Sequence, residues 1–178
     1  MKILLGRLMG VPVLGPEGRL GTVSDFYFDE GRWAVRFLVC TPSFGLASRP
    51  RIIPSRYFVR KEWDSPGFLV SVPFRGWDSL RTGMTWDQRE PAHLQSYREV
   101  RRYELRAPSG SLGHCQDFVV DESRWTIPNL VIRVPIRRRS RRVLASPHRI
   151  EEIARDDRMF LLDSEALGEE PYPWALGG

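Results

Sequence analysis

Cysteine is nearly absent from this 178-residue chain. Cys40 and Cys115 are too few for a disulfide framework, and both fall inside strand-like apolar patterns, as reduced core residues of a cytoplasmic protein would. Histidine is equally scarce. His93, His114 and His148 stand at no ligand spacing with cysteines or carboxylates, so neither a metal nor a cofactor is expected. Lysine is reduced to Lys2 and Lys61, leaving 25 of the 27 cations as arginine, the planar bidentate donor. No apolar run reaches the roughly 20 residues needed to cross a bilayer. The N-terminal MKILLGRLMG is broken by Arg7 and precedes no small-residue cleavage site, so a soluble, unprocessed chain is expected. No G-x-S-x-G, P-loop or dinucleotide fingerprint occurs, and enzyme activity is not expected.

Apolar residues make up 42% of the chain, with six Trp and nine Phe, enough buriable surface to exclude disorder throughout. The dominant feature is an internal repeat. Sliding the chain by 92 residues lays Val13 to Cys40, VLGPEGRLGTVSDFYFDEGRWAVRFLVC, over Leu105 to Ile132, LRAPSGSLGHCQDFVVDESRWTIPNLVI, with identity at 12 of 28 positions. A repeat of this length signals one structural unit present twice. After an apparent one-residue deletion the match resumes, RIIPS (Arg51 to Ser55) over RVLAS (Arg142 to Ser146), and again near Phe68 and Phe160.

Each copy reads as short strands and turns. Pro16-Glu17-Gly18 and Pro108-Ser109-Gly110 have hairpin chemistry, and Asp29-Glu30-Gly31 and Asp121-Glu122-Ser123 make the next turn. Alternation after the turn puts Trp33, Val35, Phe37 and Val39 on one face, and the repeated Gly21 and Gly113 mark bulges. Pro128 places its strand at an edge or bulge. One short helix or turn is expected at Ser146 to Ile153, from a Ser cap, Pro147 and two acids.

The repeated residues resemble the PRC-barrel family, the small β-barrel named after the cytoplasmic part of the photosynthetic reaction centre H subunit. The pattern is Gly18, Leu20-Gly21, Asp25-Phe26, Asp29-Glu30, Trp33 and Leu38-Val39, then Gly110, Leu112-Gly113, Asp117-Phe118, Asp121-Glu122, Trp125 and Leu130-Val131. The lead-in from His93 to Ala107 is similar to the start of the second barrel in soluble tandem members. The resemblance implies an all-β protein of two tandem small barrels with one or two short helices. Residues 1–75 would form the first barrel, 76–92 a linker, 93–168 the second barrel and 169–178 a tail.

Asp25 and Asp117 are the candidates for acid or base chemistry, since an Asp inside an aromatic strand is unusual. The bland reading has each carboxylate accepting backbone N–H groups. The cysteines occupy non-equivalent positions, Cys40 over Ile132 and Cys115 over Val23, as packing predicts and catalysis does not. The sharpest functional signal is Arg137-Arg138-Arg139-Ser140-Arg141-Arg142, a cationic hairpin suited to an anionic partner. Seven Arg and no acid lie between Arg133 and Arg149, whereas Glu151 to Glu170 holds eight acids and two Arg, so internal neutralisation by Glu151, Glu152, Asp156 and Asp157 is the competing reading. The expected role is that of a non-catalytic adaptor docking a protein partner, with homodimerisation compatible. Binding to RNA or the ribosome through the arginines is the alternative. A third reading, implied by the family name, is a soluble accessory making peripheral contact with a membrane-bound photosynthetic or electron-transfer complex.

Overall fold

The computed structural model describes residues 1–43, 49–59, 67–72, 93–137 and 139–163, and the backbone of 170–171. The linker at 76–92, most of the tail, Arg138, and Trp77, Trp86 and Trp174 lie outside these residues. The described chain is mostly β-sheet. Its strands are β1 (Lys2–Leu4), β2 (Pro12–Gly15), β3 (Gly18–Asp29), β4 (Ala34–Pro42), β5 (Arg51–Pro54), β6 (Phe68–Leu69), β7 (Leu94–Ser96), β8 (Glu104–Ala107), β9 (Gly110–Asp121), β10 (Thr126–Ile136), β11 (Arg139–Ala145), β12 (Ile150–Ala154), β13 (Met159–Leu162) and β14 (Glu170–Pro171). One four-residue helix, α1 (Tyr97–Val100), is joined by short 3-10 turns. Among the described residues no helix is long and apolar enough to cross a membrane.

The chain forms two units. The first comprises Arg7–Tyr97 with Glu122–Thr126; the second comprises Met1–Gly6, Arg98–Asp121 and Ile127–Gly178. In the first, β6 lies parallel to β2, and β3, β4 and β5 follow as antiparallel neighbours. In the second, β13 lies parallel to β8, which pairs with β9, and β10 and β11 continue the sheet. The pairings recur at a constant 92 residues: Val13↔Phe68 becomes Leu105↔Phe160, and Leu38↔Ile53 becomes Leu130↔Ala145. The one-residue deletion suggested by matching RIIPS to RVLAS is therefore not present in the ladders. In the ladders Ile52 and Ile53 thus stand at the positions of Leu144 and Ala145, all four buried.

The strand ladders do not close on themselves among the described residues. In the first unit Phe58 and Val70 form an isolated antiparallel bridge. It is flanked by Val59 N–H donating to Leu69 O and Ser71 N–H donating to Tyr57 O.

The N-terminal strand of each copy is spent on the other copy. Strand β7, which opens the second copy, pairs with the end of β3 through Tyr27↔Ser96, Phe28↔Gln95 and Asp29↔Leu94. Strand β1, which opens the first copy, pairs with the end of β9 through Lys2↔Asp121, Ile3↔Val120 and Leu4↔Val119. Leu94 and Lys2 are 92 residues apart, as are Asp29 and Asp121, so the exchange is reciprocal. Burial of Leu94 and Tyr97 in the first unit and Ile3 and Leu5 in the second stabilises it, by about 1.5–3 kcal/mol for each large apolar side chain.

Bulges set the phase of the long strands. The β2–β3 register shifts at Leu20 and the β3–β4 register at Ser24 and Arg36, so Val23 and Phe26 both face inward. The same shift at Arg36 corrects the expected face of β4. Val35 is buried with Leu38 and Cys40 while Phe37 is only half-buried, since the extra residue moves the alternation by one. The repeated glycines adjoin these bulges and admit a neighbouring strand. A Cβ at Gly21 would overlap the carbonyl oxygen of Thr41, and one at Gly113 that of Arg133, 92 residues further on.

The helix expected at Ser146 to Ile153 is instead a 3-10 turn, Pro147–Arg149, that runs directly into β12. Ser146 makes no side-chain cap, and pairing with β13 from Ile150 onward outweighs the local helix signal. Pro128 sits in β10 ahead of the stretch paired with β11, which starts at Leu130, so its missing N–H costs that ladder nothing.

Gly21→Ala and Gly113→Ala are expected to destabilise by roughly 2–4 kcal/mol, Gly113 having in addition a φ of 142°. Gly31→Ala, with only Asp29 Oδ1 nearby, is expected to stay within about 0.5 kcal/mol. Urea unfolding monitored by Trp fluorescence measures all three; equal effects would show that close strand approach is not what these glycines provide.

Candidate anion-binding surface

The repeated aspartates anchor the exchanged strands. Asp25 is buried; its Oδ1 accepts the N–H of Phe26 at 2.7 Å and its Oδ2 accepts the Ser96 hydroxyl of β7 at 2.6 Å. Asp117 repeats this, with Oδ1 accepting the N–H of Phe118 at 2.7 Å and that of Gly6, just beyond β1, at 2.9 Å. Both carboxylates therefore do the backbone work that the bland reading assigns them. The turn acids act similarly: Asp29 Oδ1 accepts the N–H groups of Gly31 and Arg32, and Glu30 accepts Gln95 Nε2 from β7 at 2.5 Å.

Trp33 and Trp125 both hold left-handed backbone, at φ 46° and 56°, a conformation that costs a bulky residue about 1–3 kcal/mol. Ring packing offsets it. Trp33 stacks on Phe28 at 5.4 Å, and Trp125, part of the first unit, meets Phe58 at 4.8 Å and Phe68 at 5.3 Å. These rings are packing residues of a core.

The cysteines are buried free thiols. Burial pushes Cys40 up to about 12, against a smaller lowering by a backbone hydrogen bond at Thr22. Cys115 is raised as well, first by burial and then by the neighbouring Asp117.

The arginines form the exposed end of the β10–β11 hairpin. Ile136 pairs with Arg139, so the hairpin turns beyond Ile136, where Arg137 has a φ of 47°. Arg137, Arg139, Arg141 and Arg142 are exposed, and so is Ile136 at the tip. Pairing of Arg133 with Arg142 and of Pro135 with Ser140 places these four residues on one face. There Arg133 Nε donates to Ser140 Oγ at 2.9 Å, which holds its guanidinium over the strand.

Two further elements bring polar residues that sequence reading missed. Arg101 and Arg102 follow α1, and His114 and Gln116 project from β9; with Arg133 and the buried Cys115 they line a depression of about 350 Å³. A second, of about 450 Å³, shares His114 and Arg133 and extends past Pro135 to Arg137, Arg139 and Ser140. All of these residues belong to the second unit, and none of the lining residues is an acid. Among the described residues Arg102, Arg133, Arg137 and Arg139 form no ion pair, and Glu151, Glu152, Asp156 and Asp157 form none with the hairpin. The signal available in the sequence was Arg101-Arg102 itself, but nothing local linked it to residues 30 or more positions away.

Comparison with models of known protein families and with curated proteins returns no match.

Two outcomes test this description. Asp25→Ala and Ser96→Ala should each destabilise by about 1–3 kcal/mol, and the double variant by clearly less than their sum; additivity would show that the anchor is not shared. Because the folded thiol of Cys40 titrates above its unfolded value of 9.0, its contribution to stability is complete below pH 9 and lost as pH rises from 9 towards 12. Chemical unfolding across that window should show a steeper alkaline fall for the wild type than for Cys40→Val, and native protein at pH 8 should resist a thiol reagent.

Proposed function

We propose that the chain is a tandem PRC-type protein whose two units are small barrels, and that it acts as a non-catalytic adaptor docking a protein partner. The repeated pattern of Gly, Asp-Phe and Trp supports the barrel reading, as does the Phe58–Val70 bridge, which links the segment after β5 to the one after β6. The observation that carries the functional reading is where the repeated polar groups are spent. Asp25, Asp117, Asp29 and Glu30 hold strands and turns, both thiols are buried, and the exposed end of the β10–β11 hairpin is rich in arginine. Arg139 and Arg141, on the same face of the hairpin as the exposed apolar Ile136, have the composition of a docking face, cations beside an apolar tip, suited to an acidic protein surface.

The second reading, an RNA- or ribosome-associated role, is favoured by the absence of acids from the same strands. Affinity capture from host lysate with the wild type and an Arg137/Arg138/Arg139/Arg141/Arg142→Ala variant, at two salt concentrations, separates the readings. A protein retained by the wild type and lost by the variant supports docking. RNA as the retained species, with log affinity falling linearly in log salt, would replace it with the nucleic-acid role. Equal recovery by both proteins would place the docking face elsewhere.

A further inference from the structure

The two copies of the repeat provide a control within one molecule. Superposing them at 92 residues places Met9 and Gly10 at the positions of Arg101 and Arg102, Thr22 at His114, Ser24 at Gln116, Thr41 at Arg133 and Ser43 at Pro135. The backbone correspondence is direct: Val23 N–H donates to Val11 O in one copy as Cys115 N–H donates to Tyr103 O in the other, both at 2.9 Å. The same local framework thus carries three arginines and a histidine in the second copy and no charge at all in the first. Packing does not require these cations. The duplicate folds without them, so the framework itself does not demand charge at these positions.

We infer that this groove is a binding site for an oligophosphate, an anion carrying two or three linked phosphates. Its two depressions share Arg133 and His114, so one ligand can span both. Their volumes, about 350 and 450 Å³, are those of small-molecule sites. Guanidinium forks match phosphate oxygens bidentately, and the described lining includes Arg101, Arg102, Arg133, Arg137 and Arg139 with no carboxylate among them to repel an anion. Gln116 and Ser140 add neutral polar groups that tolerate anionic oxygen. Among the described lining residues there is no Phe, Tyr or Trp, so a nucleobase finds only His114 and guanidinium planes to stack on, whereas the phosphates find the arginine forks. Recognition falls on the phosphates. This site goes beyond the docking role and does not depend on it.

Isothermal titration of the full chain with inorganic tripolyphosphate, ATP and orthophosphate tests the assignment. Tripolyphosphate and ATP should bind saturably with similar affinity, at least tenfold tighter than orthophosphate, and weaken as salt rises. Arg101→Met and Arg133→Thr, each installing the residue that the first copy already accommodates on the same backbone, should lower affinity about tenfold or more apiece, with unfolding curves that show the fold retained. Arg19→Ala, at an exposed position of the first unit, should leave binding unchanged. The site is overturned if tripolyphosphate binds no better than orthophosphate, or if the Arg101→Met/Arg133→Thr double variant binds as the wild type does. ATP binding much tighter than tripolyphosphate would overturn phosphate-only recognition. Binding of a duplex RNA that tripolyphosphate fails to displace would overturn it in favour of an extended nucleic-acid face.

Discussion

The reciprocal exchange of N-terminal strands is the constraint on which the rest depends. Without β7 the end of β3 would present Tyr27, Phe28 and Asp29 as an unpaired edge, and without β1 the end of β9 would do the same at Val119 to Asp121. Exposed edges of this aromatic and β-branched composition invite aggregation. Pairing removes that hazard and satisfies the backbone groups at once. The carboxylates of Asp25 and Asp117 fix the strands in place because each accepts a donor from the incoming segment, a hydroxyl in one unit and a backbone N–H in the other. A buried carboxylate left without such donors is costly, so once the strand has docked the arrangement is self-enforcing.

Duplication relaxes the demand on surface residues while holding the interior to one solution. Interior positions change little between copies: Phe26 and Phe118, Leu38 and Leu130, and Phe68 and Phe160 keep their identity and burial, and the last two pairs keep equivalent strand partners as well. Exposed positions diverge freely, and the divergence is directional. The second copy has arginine at Arg101, Arg102, Arg133, Arg137 and Arg139, where the first has Met9, Gly10, Thr41, Gly45 and Ala47. That asymmetry is the physical basis for assigning binding to the second unit and scaffold duty to the interior.

Much of the local structure was legible because strand and turn signals act over a few residues. The repeat, the two hairpin turns, the Asp29 turn and the cationic hairpin are all written in short stretches whose chemistry does not depend on distant neighbours. Phase was less legible. The bulges at Leu20, Ser24 and Arg36 each shift alternation by one residue, and a bulge is set by what the partner strand must bury. The turn at Pro147 shows the same limit: its cap-like sequence favours a helix, but Ile150 onward has a strand partner, and pairing decides.

The sequence by itself determined that there are two similar β units with aromatic and aliphatic strands, and that one of them carries an arginine-rich hairpin, because composition and repetition are properties of the chain alone. Only the tertiary structure decided which copy each opening strand completes, since β1 and β7 stand 92 residues apart at equivalent positions and local sequence does not say which long strand each will join. Only it decided that Arg101, Arg102, His114 and Arg133 face one groove with the hairpin arginines. The reason is the same in both cases. Contacts between residues far apart in the chain are selected by simultaneous burial and hydrogen bonding of whole strands, and no window along the sequence contains that sum.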